Sequence, residues 1–169
     1  MAVITLRPMR SSDVDALIRI TGETGFFRAE EVEVAREVLT DCANKGAASG
    51  YTTTVALDDG SPLGYVCYGP TAGARGTWDI YWIAVDKRSQ GHGVGRKLMA
   101  TAEEDMSRQS GRVAVVETSS LAMYDPTRRF YLGQGYREAA RIEDFYDVGD
   151  AKVLYTKGLN PGGSLPMHP

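Results

Sequence analysis

Trp78-Asp79-Ile80-Tyr81-Trp82-Ile83-Ala84-Val85-Asp86-Lys87-Arg88-Ser89-Gln90-Gly91-His92-Gly93-Val94-Gly95-Arg96-Lys97-Leu98-Met99 decides how this chain is read. The first eight residues are apolar, aromatic or β-branched apart from Asp79, and they predict a strand. Gln90 to Gly95 carries three glycines, which supply φ > 0 and let backbone approach a ligand closely. Beyond them Val94, Leu98 and Ala102 recur every four residues, with Met99 and Met106 beside them, which is helical spacing. A helix that opens from a glycine turn presents unpaired N–H groups and a positive dipole end, and so favours an anion. Phosphate or pyrophosphate is the natural guest.

Three phosphate motifs compete for this stretch. A Walker loop needs G-x-x-x-x-G-K-[ST], and Lys97 stands between Arg96 and Leu98 instead. A dinucleotide fingerprint needs G-x-G-x-x-G in the first strand–turn–helix, whereas Gly91, Gly93 and Gly95 give G-x-G-x-G in mid-chain. The third pattern, [RQ]-x-x-G-x-[GA] directly after a strand ending in Ile83-Ala84-Val85, fits through Gln90, Gly93 and Gly95. It resembles the acyl-CoA loop of the GCN5-related N-acetyltransferase (GNAT) superfamily.

Composition sets outer bounds. A chain of 169 residues with 43% hydrophobic and 24% charged content reads as one globular domain with a sizeable core. The net charge of −3 argues against a general nucleic-acid or anionic-membrane binder. No signal peptide or long apolar run is seen, so a cytoplasmic location is expected. Cys42 and Cys67 lack metal-ligand spacing and read as small core residues; no metal is expected.

Along the chain, residues 3–7 predict a strand, followed by a helix capped by Ser11 or Ser12 and broken at Gly22 and Gly25. A second helix is expected over 29–44, with Val32, Ala35, Val38, Leu39 and Cys42 on one stripe and Gly46 as its stop. Residues 51–57 and 63–68 form a hairpin around Asp58-Asp59-Gly60-Ser61. After the 77–85 strand, loop and helix, Gly111 closes that helix. Residues 113–118 predict an apolar strand covered on both faces and parallel to 77–85. Pro126 opens a short helix bearing Phe130 and Tyr131, and strands 136–146 and 151–156 follow. The Gly/Pro-rich segment from 159 reads as a disordered tail beyond a single domain, 1–158.

The order β-α-α-β-β-β-α-β-α-β-β is similar to the GNAT architecture, an α/β fold with a mixed central sheet of about six or seven strands flanked by helices. Phe130-Tyr131-Leu132-Gly133-Gln134-Gly135-Tyr136 also resembles that family's F-Y-x-x-x-G-[FY] segment. The resemblance covers roughly residues 2–158. It implies direct transfer of an acetyl group from acetyl-CoA to an amine. In such enzymes strand-end groups at Ile83, Ala84 and Val85 meet the pantetheine arm. Backbone from Gln90 through Gly91, His92, Gly93, Val94 and Gly95 to Arg96 cradles the pyrophosphate. Arg88 and Lys97 are further sources of charge.

An alkyl ammonium has a pKa near 10.4, so its neutral form costs about 4–5 kcal/mol at pH 7 and a base must help. Asp79 is the first candidate, because aspartate is disfavoured mid-strand and because many family members carry a catalytic glutamate there. Glu117, near the end of the next parallel strand, is the second; its ordinary reading is a pair with a nearby arginine. Tyr131 resembles the family's general acid for the departing thiolate, although a free tyrosine near 10 protonates a thiolate near 8.5 about 2 kcal/mol uphill. The resemblance places the oxyanion on a strand N–H near Ile83. Tyr124 stands where many members carry a cofactor-binding asparagine.

The acceptor is an amine-bearing small molecule, peptide or protein, with no nucleic acid or membrane partner expected. Phe26, Phe27, Tyr81, Trp82 and Tyr146 are candidates to line its site. Glu143, Asp144, Asp147 and Asp150 would give the last hairpin a negative potential suited to a cationic amine. A homodimer is an open option. The competing reading is a non-catalytic acyl-CoA-binding sensor or interaction module on the same fold.

Overall fold

The computed structural model describes residues 3–159. Its elements are β1 (Thr5–Pro8), α1 (Val14–Glu23), α2 (Ala29–Lys45), β2 (Thr52–Asp58), β3 (Ser61–Pro70), β4 (Thr77–Val85), α3 (Val94–Arg108), β5 (Val113–Ser119), α4 (Asp125–Gly133), β6 (Arg137–Asp147) and β7 (Asp150–Gly158), with single 3-10 turns between some of them. The strands form one mixed sheet in the order β1-β2-β3-β4-β5-β7-β6. β4 runs parallel to β5, and β1–β2, β2–β3, β5–β7 and β6–β7 are antiparallel. The sequence reading of the element order therefore holds.

The tail needs one correction. Leu159 is buried; its N–H donates to Arg112 O at 2.9 Å, and its carbonyl accepts Ser107 Oγ at 3.1 Å. The rest of the expected tail, 160–169, lies outside the described residues.

The chain groups into two compact units: one runs up to Pro70 and includes Ile80–Ala102, the other holds Thr71–Asp79 and the chain from Glu103 onward. In the first, Leu17, Ile20, Leu39, Val55, Tyr65 and Cys67 are sealed from solvent. The Tyr65 hydroxyl, buried with them, is matched by Thr21 Oγ1 at 2.7 Å. Burial pushes the Cys67 thiol up to about 12. It is an inert core group. The β2–β3 turn takes positive φ at Asp59 and Gly60, the pair that a two-residue hairpin of this hand requires. Gly64 is needed for a different reason: a Cβ there would lie 2.5 Å from the Ala84 carbonyl oxygen, so β3 and the end of β4 approach as only glycine allows.

The start of α1 departs from expectation. Neither Ser11 nor Ser12 caps it, and Gly22 lies inside it. Instead Asp13 accepts the Arg10 N–H at 2.7 Å and a two-pronged bond from Arg7, at 2.7 and 2.9 Å. Asp13 is only 5% exposed, and the Arg7 guanidinium holds its carboxyl below the usual range. A group with a lowered folded pKa contributes stability above its unfolded pKa, near 3.9, and loses it as pH falls through the folded value. We expect Asp13→Ala to cost about 2 kcal/mol at pH 7, mostly by orphaning charged hydrogen bonds. Melting curves should show that difference shrinking below pH 4.

In the second unit β5 is not covered alike on both faces. Ala114, Val116 and Thr118 are buried, while Val113 and Val115 are half-buried and Glu117 is exposed. The buried set shares a face with Val153 and Tyr155, by the β5–β7 register. That face carries α4, through the Tyr131–Tyr155 ring pair, and α3, through the Lys157–Glu103 bond. The other face carries Asp79, Val115, Glu117, Lys152 and Leu154, since Asp79 pairs with Val115, Glu117 with Leu154 and Ser119 with Lys152.

Candidate acetyltransferase site

At the end of β4 the chain turns through Asp86. Its N–H donates to Leu63 O at 2.8 Å, and its buried carboxylate receives the Arg88 backbone N–H at 2.9 Å and the Arg88 guanidinium. Arg88 holds Asp86 below the ordinary carboxylate range. This fixes Arg88 to the strand end, so it is a loop anchor in the free protein. Gln90 completes the turn: its Nε2 donates to the Val85 carbonyl at 3.1 Å.

Gly91 and Gly93 adopt φ of 78° and 82°, and a Cβ on either would meet nothing within 4 Å. The space over the loop is open, and the backbone there is bent as only glycine bends cheaply. α3 starts at Val94, whose side chain is buried together with Leu98 and Met99. Gly93 O accepts the Lys97 N–H at 3.1 Å, so the N–H groups of Val94, Gly95 and Arg96 precede the first helical bond. Ile83 and Val85 are half-buried and Ala84 is buried; His92, Arg96 and Lys97 are exposed. The residues expected to meet acetyl-CoA fall on one continuous strand–loop–helix.

The titratable candidates lie in the second unit. Asp79 is half-buried, and its Oδ2 accepts Thr71 Oγ1 at 2.6 Å. Thr71 is itself fixed by its N–H to Thr77 O at 2.9 Å. One carboxylate oxygen is thus oriented by a hydroxyl from the β3–β4 loop. Nothing in the loop's composition had marked Thr71. Glu117 lies on the same face, with an ion pair to Lys152 Nζ at 2.5 Å. Its ordinary reading is the one realised, with lysine in place of arginine.

Tyr131 sits on α4 against the opposite face. Its ring packs at centroid distances of 5.7 Å from Phe130, 6.0 Å from Tyr136 and 6.1 Å from Tyr155. Burial alone pushes its pKa above the ordinary tyrosine value. Among the described residues its hydroxyl has no hydrogen-bond partner. Beside it Tyr136 donates to Glu103 Oε1 at 2.9 Å, and Lys157 Nζ donates to Glu103 Oε2 at 2.7 Å. Asp79 and Tyr131 thus stand on opposite faces of the same sheet segment.

The GNAT acetyltransferase domain profile matches residues 49–138. A crystal structure of a GNAT-family protein from Desulfovibrio desulfuricans is 38% identical and superposes with a TM-score of 0.91 over 94% of this chain and 100% of that one. This chain belongs to the GNAT family of acetyltransferases. More distant GNAT folds superpose as well. The crystal structure of an aminoglycoside 6'-N-acetyltransferase complexed with coenzyme A does so with a TM-score of 0.74 at 14% identity, covering 93% of this chain and 98% of its own. The ribosomal-protein-S18-alanine N-acetyltransferase from Escherichia coli does so with 0.75 at 15% identity, covering 98% and 100%. At such identities the likeness is one of fold. No curated protein matches the sequence.

The β5–α4 connection carries one departure from the family's motif that the sequence shows. Tyr124 occupies the position many members give to asparagine. The connection is fastened by Arg128, whose Nη1 donates to Ser119 O at 2.5 Å and to Leu121 O at 3.1 Å, while Nη2 meets Asp125. Ser119 Oγ in turn donates to Asp150 at 2.5 Å. Three of the four hairpin acids are committed to structure: Asp150 here, and Asp144 and Asp147 to the turn N–H groups of Gly149 and Val148. Among the described residues, no group of three or more His, Cys, Asp or Glu side chains is placed to hold a metal ion.

Proposed function

We propose that this GNAT protein transfers an acetyl group from acetyl-CoA directly to a cationic amine. The observation that carries the reading is the loop after β4. Two left-handed glycines, an open space above them and the free N–H groups of α3 suit an anion such as a diphosphate.

In this reading Gln90–Arg96 hold the diphosphate through main-chain N–H groups. Ile83–Val85 run beside the pantetheine arm, and a β4 N–H near Ile83 receives the developing oxyanion. Asp79 takes the ammonium proton through a water, its shorter side chain reaching less far than glutamate. Thr71 supports this role by occupying Oδ2 and leaving Oδ1 available. Glu117 is the weaker candidate, because Lys152 already claims its carboxylate. The amine nitrogen then attacks the thioester carbonyl, the C–S bond breaks, and sulfur leaves as thiolate. Tyr131 offers its hydroxyl to that sulfur. Separate faces for Asp79 and Tyr131 suit a reaction in which one proton is removed where the amine arrives and another is supplied where the thiolate departs.

The test is release of CoA thiol from acetyl-CoA with an alkyl diamine, an amino acid, a peptide with a free N-terminus and a lysine-bearing peptide. Amine-dependent release is expected for at least one class. If acetyl-CoA raises the melting temperature and no amine elicits thiol, the protein is a binding module. If millimolar acetyl-CoA gives no thermal shift, the loop assignment is overturned.

A further inference from the structure

Lys152 is a half-buried ammonium held by two groups that recognise cations. Its Nζ lies 2.5 Å from Glu117 Oε2 and 4.5 Å from the centroid of the Phe145 ring. The lysine side chain is 18% exposed and the Glu117 side chain 50%; Phe145 is 49% exposed. A carboxylate beside an aromatic face is a general solution for an alkyl ammonium. Here it lies on the same sheet face as Asp79. By register Asp79 pairs with Val115, and Glu117 is two residues further along β5, about 8 Å from Asp79 between Cα atoms by strand geometry. An acceptor with one amine at Asp79 and a second cationic group about that far away would bring the second group to Glu117.

We propose that Glu117 and the Phe145 ring form a seat for a second positive charge on the acceptor, a seat that Lys152 fills in the free protein. The inference rests on the acetyl-transfer reading above and narrows its acceptor to amines carrying two or more cationic groups a few ångströms apart. The sign follows from the charges around the seat. Segment 143–150 carries Glu143, Asp144, Asp147 and Asp150 and no basic residue, and Lys152 follows it by two residues on β7. An incoming dication brings its own balance and releases the lysine toward these acids, whereas a monocation satisfies Asp79 or the seat but not both. Lys152 therefore acts as a tethered competitor, and its tether gives it a high local concentration. Only an acceptor held at two points displaces it.

The experiment titrates 1,5-diaminopentane into the full chain by isothermal calorimetry, with 1-aminopentane as the single-charge probe. Lys152→Met keeps the apolar stem and removes the ammonium. It is expected to tighten diamine binding about tenfold and to lower the diamine KM by a similar factor at unchanged kcat. Adding Glu117→Gln or Phe145→Leu to Lys152→Met should return affinity to the wild-type level. Arg141→Ala removes a cation from β6 away from the seat and controls for a general field effect. The proposal is overturned if Lys152→Met leaves diamine affinity unchanged, if Arg141→Ala tightens it equally, or if 1-aminopentane binds wild type as tightly as the diamine. Melting temperatures establish that each variant is folded. Tighter diamine binding without thiol release would uphold the seat and overturn the transfer reading, so the two fail separately.

Discussion

Replacing Tyr131 with phenylalanine lowers kcat by about 10²-fold or more, at the lower end of what a positioned acid contributes, with acetyl-CoA affinity and melting temperature nearly unchanged. The separation follows from how this side chain is held. Its ring is fixed by Tyr136 and Tyr155, and phenylalanine keeps those contacts. Its hydroxyl has no partner among the described residues, so none is orphaned by the change. What disappears is a single O–H donor. Burial raises the pKa of that group, so it remains protonated throughout any ordinary assay and contributes no alkaline limb below about pH 10. The same shift makes full proton transfer to a thiolate harder than the 2 kcal/mol or so between free tyrosine and free thiol. In the proposed reaction Tyr131 would therefore serve as a hydrogen-bond donor to sulfur as charge develops, with solvent completing the protonation. The pH–rate profile and single-turnover rates of the variant check this; an unchanged kcat removes Tyr131 from the chemistry.

The parts of this protein that could be read from its residues are those set by local patterns. β4 falls where a run of β-branched and aromatic residues is bounded by Gly76 and Asp86. The loop is legible because alternating glycines have few other uses, and α3 because its apolar residues recur at helical spacing. Errors arise where a distant residue decides. The serines before α1 have the composition of a cap, yet neither is used; the carboxylate engaged there is Asp13, which Arg7, six residues back, grips from β1. β5 reads as apolar throughout since Val113 to Val116 carry no polar marker, but the register with β7 assigns alternate residues to a helix-covered face and a more open one. Thr71 and Lys152 escaped notice for the same reason. Neither sits in a motif, and each gains its meaning from a carboxylate that only the folded sheet brings within 2.6 Å.

The larger effect on binding is expected at Gly93. Its φ of 82° costs an L-residue roughly 1–2 kcal/mol, and a β-branched side chain makes that conformation harder still. A Cβ there meets no protein atom, so Gly93→Val should fold, with a melting temperature lowered only by the strain. Its isopropyl group, however, would stand in the open space that the diphosphate is assigned. The N–H groups of Val94 to Arg96 would be screened from their guest. Acetyl-CoA affinity should fall by about 10²-fold, equivalent to about 2.7 kcal/mol, and the thermal shift produced by the cofactor should vanish at concentrations near the wild-type Kd. Gly60→Val provides the matched control. Gly60 has φ of 79° and equally open surroundings, but it belongs to the β2–β3 turn. Equal strain at the two sites with loss of acetyl-CoA binding only at Gly93 isolates the loop as the diphosphate site. Retained binding in Gly93→Val would place the cofactor elsewhere.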